Sequence, residues 1–351
     1  MSNSPEPLRV GLIGFGPAGR FFHAPLLATT PGLALTTVVT SDPTRAEQAA
    51  ATYPGVRIAA GAEELWSEDL DLVVVASPNK THVPLATAAI EAGAAVVVDK
   101  PFAITSQDGA ALVELARQHG RLLSVFQNRR WDGDFRTVQQ LVEDGRLGAV
   151  HRFESRFERW RPQLKGGWRE TGGREEGSGL LYDLGSHLID QALTLFGPVT
   201  GVYAQADVRR PGAQADDDTF IALTHASGTR THLWASATAA HLGPRLRVLG
   251  SRAAYVSHGL DGQEDELRAG RTPRDGGFGI TPPERYGELG ADGSFEAYPT
   301  LPGRYADYYA AVERALRGEG PVPVDPRDAV TALKVIEAAR VSADEGRVVS
   351  L

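Results

Sequence analysis

The sequence contains no cysteine. Disulfide bridges and thiolate-held metal sites are therefore excluded, and the composition fits a reducing, cytoplasmic setting. Long apolar runs are missing as well, so no membrane span is expected. The start, MSNSPEPLRVGLIGFG, has no basic segment leading into a long apolar one, and no secretory leader is expected. Positive charge is in deficit: 36 Lys and Arg stand against 44 Asp and Glu, a formal net charge of −8. That balance argues against nucleic acid or an anionic membrane as the main partner. The 9 histidines show no zinc spacing such as H-E-x-x-H, and no metal is expected. No internal repeat is visible.

What is present is enough for two domains. A chain of 351 residues with 42% hydrophobic content exceeds one ordinary core. In the first third, short apolar runs (Leu8 to Ile13, Leu35 to Val39, Leu72 to Ala76, Ala94 to Val98, Leu122 to Phe126) alternate with helical patterns (Ala18 to Thr29, Pro43 to Thr52, Thr81 to Ala92, Ser106 to His119). Apolar strands separated by helices predict a doubly wound parallel sheet covered on both faces, an α/β Rossmann arrangement. The pattern changes at Val150. From there to Phe157, apolar Phe153 and Phe157 alternate with charged neighbours, the mark of a sheet with one wet face. Val202 to Val208, Thr219 to His225, Thr231 to Ser236, Leu246 to Leu249 and Ala253 to Val256 continue it. The second domain is thus expected to be α+β, with a large, mainly antiparallel open sheet. One helix, about Leu180 to Phe196, interrupts it, and Tyr305 to Arg317 and Pro326 to Val341 are expected as closing helices. The Gly-, Pro- and charge-rich stretch from Ser257 to Gly303 reads as a long excursion. The expected domains are 1–128 and 129–351, with the terminal helices able to pack back on the first.

Gly14-Phe15-Gly16-Pro17-Ala18-Gly19 fits G-x-G-x-x-G between a strand and a helix. Gly14 permits the tight turn, Gly16 lets backbone approach a pyrophosphate, and Gly19 allows close packing. The helix N-terminus, with Pro17 and Ala18, faces the phosphates. A dinucleotide is therefore expected. The second strand ends Val39-Thr40-Ser41, where an NAD site usually carries Asp or Glu for the ribose 2′-OH. Asp42 is better placed as a helix cap. Thr40 and Ser41 can donate to a 2′-phosphate and Arg45 can reach it, so NADP is expected, with NAD possible. Ser77-Pro78-Asn79 follows a strand end and is expected on the nicotinamide side; His82, in the next helical turn, is expected at the cofactor or as a cap.

VVVDKPF delivers Lys100 at the carboxyl end of a parallel strand, where such sheets bind ligands. Pro101 fixes the chain's exit and allows a cis bond that would aim the lysine into the crevice. Farther on, Asp183 and His187 stand four apart on a predicted helix and so on one face. Gly185 between them would allow close approach of a ligand.

GFGPAGRFFHAPLL, ASPNKTHVPLATAAIEAG, VVVDKPFAIT and GLLYDLGSHLIDQALTLFG together resemble the Gfo/Idh/MocA family of sugar and inositol oxidoreductases. The family typically has Glu-Lys-Pro where this chain has Asp99-Lys100-Pro101, and an Asp/His pair matched by Asp183 and His187. QNRRWDGDF, RPQLKGGWRE and HGLDGQEDELRAGR are similar to its NADP-dependent scyllo-inositol dehydrogenases. The resemblance implies a Rossmann domain, a second α/β domain whose sheet joins subunits as a homodimer or homotetramer, and hydride exchange with a polyol or sugar. On that footing Lys100, Asp183 and His187 are the catalytic candidates. Asn128, Arg129, Trp160 and Tyr305 are candidate substrate contacts, with Asn128 also near the ribose, Arg129 and Trp160 equally readable as surface or interface residues, and Tyr305 as core packing. An aldose dehydrogenase, a carbonyl reductase and a non-catalytic dinucleotide sensor are the alternatives.

Overall fold

Strands of nearly unbroken apolar sequence build the first sheet. The computed structural model describes residues 6–351, so the five residues with which the first expected domain and the leader reading begin lie outside it. β1 (Leu8–Ile13), β2 (Leu33–Val39), β3 (Arg57–Ala59), β4 (Leu72–Val75), β5 (Ala95–Asp99) and β6 (Leu123–Phe126) form a parallel sheet in the order β3-β2-β1-β4-β5-β6. Both β4 and β6 are buried at every position, which explains why they read as apolar runs rather than alternations. The order reverses between β1 and β4, and that crevice is where such sheets take their ligand. The predicted helix over 18–29 begins as a π turn, Gly19–His23, and becomes α only at Ala24–Thr29. Pro25 has no N–H for the carbonyl four residues back, and Ala24 N–H bonds Gly19 O instead.

The second sheet has nine strands. They are β7 (Val150–Glu158), β8 (Val199–Asp207), β9 (Asp218–His225), β10 (Arg230–Ser236), β11 (Leu246–Gly250), β12 (Ala254–Ser257), β13 (Gly287–Ala291), β14 (Ser294–Tyr298) and β15 (Val349–Ser350). Their order is β14-β13-β12-β11-β7-β10-β9-β8-β15, with only β7 and β10 parallel. The hairpin of β13 and β14 and a helix, Gln263–Arg268, lie in the stretch expected to be an irregular excursion. β14 is almost wholly exposed, so it carries no apolar alternation to read. Its turn is Asp292-Gly293 with φ of 52° and 77°, the positive values a two-residue hairpin requires.

Helices cover one face of this sheet. Gly185–Phe196 packs on β7 and β10, and Pro326–Glu345 packs on β8. The latter also reaches the first sheet's Ser106–Gln118 helix, where Glu337 accepts from Ser106 N at 2.6 Å and Oγ at 2.7 Å. On the other face the alternate residues of β9 and β10 stay half-exposed. There Phe220 and Trp234 pack with their rings tilted at 42° and centroids 5.2 Å apart, and Arg156 lies 3.9 Å over Trp234. No helix of the described residues is long and apolar enough to cross a membrane.

Candidate active site

The glycine loop opens a cleft of about 520 Å³ at the β1/β4 reversal. Gly14 has φ +99°, and a Cβ there would sit 2.6 Å from Ala76 O. A Cβ on Gly19 would meet Gly14 O at 2.0 Å, so only glycine lets helix and loop close together. Gly16 differs: its Cβ would meet nothing nearer than the Arg45 guanidinium at 3.9 Å. Backbone at Gly16 therefore faces open cleft beside the start of a helical turn, a cradle that fits a dinucleotide's phosphates. Pro17, Ala18, Thr40, Ser41, Arg45, Ser77, Pro78 and Asn79 line the same cleft. Asp42 caps the following helix by accepting from Arg45 N at 3.1 Å, which leaves no carboxylate at the strand end itself.

A smaller cavity of about 200 Å³ adjoins the cleft, and Pro17, Ala18, Asp99 and Arg169 line both. The Lys100–Pro101 peptide is cis. Lys100 Nζ donates to Asp183 Oδ1 and to Asp183 O, each at 2.7 Å. Burial opposes ionisation of Asp183. Lys100 and the more distant Arg169 outweigh it and hold the carboxyl well below the usual carboxylate range. His187 lines the cavity too, with its Nδ1 buried and unpartnered. Burial first, then the charges of Lys100 and Arg129, push its pKa well below the ordinary 6.5, so the ring is neutral near pH 7.

Asp183 and His187 do not share one regular helix as the spacing suggested. One helix ends at Asp183 and the next starts at Gly185, with Leu184 between them at φ −105°. His187 N–H bonds Leu184 O, three residues back. Glycine after Leu184 weakens the helix at this point. The carboxylate of Asp183 therefore serves Lys100 rather than His187.

Other candidates sort by burial and partner. Asn128 and Arg129 line the cavity. The Arg129 guanidinium is already held by Glu264 at 2.7 Å and Asp132 at 3.4 Å, and lies 4.7 Å over the Phe157 ring. His82, expected at the cofactor or as a cap, is buried and does not line the cleft: Nδ1 lies 2.8 Å from Pro101 O and Nε2 2.9 Å from Ser77 O. It ties the lysine segment to the turn that starts at Ser77. Trp160, expected in the polyol pocket, is 57% exposed and bridges to Thr238 outside the cavity, because it lies two residues past the end of β7 on the outer rim. Tyr305 is fully buried behind the wall, its hydroxyl donating to Asp132 Oδ1 at 2.6 Å. It supports Arg129 through Asp132 and does not face the cavity. Among the described residues no cluster of three or more His, Asp or Glu is arranged for a metal.

The cavity also has walls that sequence reasoning did not single out: Phe22, Arg159, Arg169, Glu264 and Arg268. Glu264 and Arg268 come from the helix in the supposed excursion. Arg268 lies 4.9 Å over the Phe21 ring, so that helix packs against the glycine-loop helix and roofs the cavity. Only tertiary contacts bring these residues together. Asp99 carried a signal, as the neighbour of Lys100 in sequence. It accepts from Lys100 N at 2.8 Å, and its Oδ1 lies 3.6 Å from His23 Nε2.

Comparison with known proteins follows the same division of the chain. Residues 8–127 match the oxidoreductase family's NAD-binding Rossmann fold, and residues 139–351 match its C-terminal alpha/beta domain. YdgJ, an uncharacterized oxidoreductase of Escherichia coli (strain K12), is 44% identical over 341 residues, 96% of this chain and 97% of its own. The scyllo-inositol 2-dehydrogenase (NADP(+)) IolW of Bacillus subtilis (strain 168) is 34% identical over 351 residues, 99% of this chain and 96% of its own. The solved structure of yvaA from Bacillus subtilis superimposes with a TM-score of 0.93 at 34% identity, covering 99% of both chains.

Proposed function

The chain belongs to the Gfo/Idh/MocA family of oxidoreductases, and from that premise we propose that it exchanges hydride between NADP and a secondary alcohol of a cyclic polyol or sugar, with scyllo-inositol and its ketone as the favoured pair. The observation that carries this reading is the Lys100–Asp183–His187 group, set in a small polar cavity that opens into the dinucleotide cleft. The cavity wall is more polar than apolar and offers hydroxyl-binding donors and acceptors, with Phe22, Phe126 and Leu184 as apolar surfaces, which suits a polyol ring. The likeness to a scyllo-inositol 2-dehydrogenase supports the choice of substrate.

When bound, the nicotinamide accepts or returns the hydride. The chain's own residues manage the proton. Neutral His187 takes the hydroxyl proton as the carbinol becomes a carbonyl. Lys100, held in place by two hydrogen bonds to Asp183, donates to the same oxygen and stabilises its developing negative charge. Asp183 keeps the lysine oriented. Asn128 and Arg129 contact the remaining hydroxyls, and the Glu264–Arg268 helix limits water.

The NADP preference rests on Thr40, Ser41 and Arg45 facing the cleft where an NAD site has a carboxylate. Arg45→Ala is expected to raise KM for NADP by about tenfold, the worth of one charge-assisted bond, and to leave KM for NAD unchanged. An equal change for both cofactors would remove Arg45 from the 2′-phosphate site. The half-exposed Phe220–His232–Trp234 face of the second sheet is assigned to a second copy of the chain. Light scattering is expected to give at least twice the 37.5 kDa chain mass, and a monomer at micromolar concentration would oppose this. The function itself is tested by initial rates with scyllo-inositol, myo-inositol and several aldoses, each with NADP and NAD. Turnover chiefly with scyllo-inositol and NADP is expected. Tight NADPH binding with no polyol turnover would favour a carbonyl reductase or a sensor.

A further inference from the structure

One cation of the cavity, among the described residues, has no carboxylate at salt-bridge distance, although Asp183 and Glu264 line the same space. Arg159 follows the last residue of β7, and its backbone is pinned on both sides: its N–H donates to Ser236 O at 2.8 Å and its carbonyl accepts from Ala239 N at 3.1 Å. Its side chain lines the cavity and an outer recess of about 420 Å³ that continues from it. Among the described residues no carboxylate lies within salt-bridge distance of its guanidinium, and no side-chain hydrogen bond engages it. Arg161 and Lys165, which line the recess, are likewise without a carboxylate partner there. The neighbouring charges are already committed. Lys100 is taken by Asp183, Arg129 and Arg268 by Glu264, and Arg210 by Asp217 and Glu170.

Such an arrangement is costly in the unliganded protein. Burial first and then Arg161 disfavour the charge on Arg159, and the more distant Asp183 and Glu264 carboxylates offset this only in part, so the guanidinium is held below its ordinary basicity. An arriving anion would relieve both. A guanidinium also offers a planar fork that matches a carboxylate with two parallel bonds. Neutral hydroxyls need only the donors and acceptors that Lys100, Asn128 and His187 already supply.

We propose that Arg159, backed by Arg161 and Lys165, is a binding site for a carboxylate carried by the substrate, so that the cavity accepts sugar acids in preference to neutral polyols of the same size. The inference rests on the polyol and sugar reading above and narrows it. A phosphate of the cofactor is the other source of the same anionic chemistry. Against it, Arg159 lines the substrate cavity and the outer recess but not the glycine-loop cleft.

The test is calorimetric binding to the NADPH-saturated protein, in which no alcohol turns over. D-glucuronate and D-gluconate are compared with D-glucose and scyllo-inositol, for the wild type, Arg159→Gln and Arg159→Lys. The acids are expected to bind the wild type about tenfold or more tighter than D-glucose, as a charge-assisted bond gives. Arg159→Gln is expected to abolish that preference and Arg159→Lys to keep part of it. Should Arg159→Gln not fold, added salt must weaken the acids and spare scyllo-inositol in the wild type. Equal affinity for acid and neutral ligands in the wild type would overturn the inference alone. A loss of NADPH affinity matching the loss for acids would give the anion to the cofactor and also overturn it. Failure of every polyol and sugar to bind would overturn the substrate reading with it.

Discussion

Replacing Lys100 by methionine is expected to lower kcat by about 10³-fold, with KM for NADP unchanged. The figure is the loss of charge stabilisation at the reacting oxygen, worth about 10²–10³ for one positioned donor in comparable sites. The cofactor is spared because the phosphate cradle is built from Gly14, Gly16 and the following turn, not from Lys100. The variant also strands a carboxylate. Asp183 loses its main counter-charge, so its pKa rises toward the ordinary carboxylate range, while Arg169 and Arg159 still favour its ionised form. The stability loss stays below the ~3–5 kcal/mol of a fully buried broken pair, since the Asp183 side chain keeps 28% of its exposure. Full turnover by Lys100→Met would refute the mechanism while leaving the family assignment intact.

His187→Asn is expected to cost about 10²–10⁴-fold in kcat, the usual worth of a general base. It carries a second signature in pH. The folded pKa of His187 is depressed by burial and by Lys100 and Arg129, so the proton-accepting form already dominates at pH 7. In the wild type kcat/KM should therefore hold steady down to the ordinary histidine value of 6.5 and fall only below it. The asparagine variant should lose that acid limb. Stability follows the same sign. A group depressed in the fold binds more protons when unfolded, so its contribution is full above pH 6.5 and is lost as pH falls toward the folded pKa. His187→Asn should flatten stability across that acid window. An acid limb unchanged by the substitution would transfer the titration to another group.

The glycine loop and the Lys100 strand end could be read from sequence because each is local: a turn, a helix start and a strand end within a few residues. The parallel sheet was legible for a related reason, since strands buried on both faces are apolar throughout. Elements whose residues are stabilised from afar were not. β14 forms on the edge of a sheet with its side chains in solvent, and only Asp292-Gly293 betrays it. Trp160 and Tyr305 were placed by residue type, which cannot tell an outer rim or a buried brace from a pocket wall. Arg159, Glu264 and Arg268 meet the lysine only in three dimensions, with more than 50 residues between each of them and Lys100. Spacing alone also missed the break at Leu184, which gives the Asp183 carboxylate to Lys100 rather than to His187.

The most direct measurement follows the hydride itself. Scyllo-inositol deuterated at carbon is incubated with NADP and the protein, and the reduced cofactor is isolated and weighed. Deuterium in the nicotinamide of the wild-type reaction, accompanied by transfer about 10³-fold slower in Lys100→Met, is the expected result. Tight NADPH binding without label transfer from any deuterated polyol or sugar acid would contradict the assignment of this cavity as a polyol dehydrogenase site.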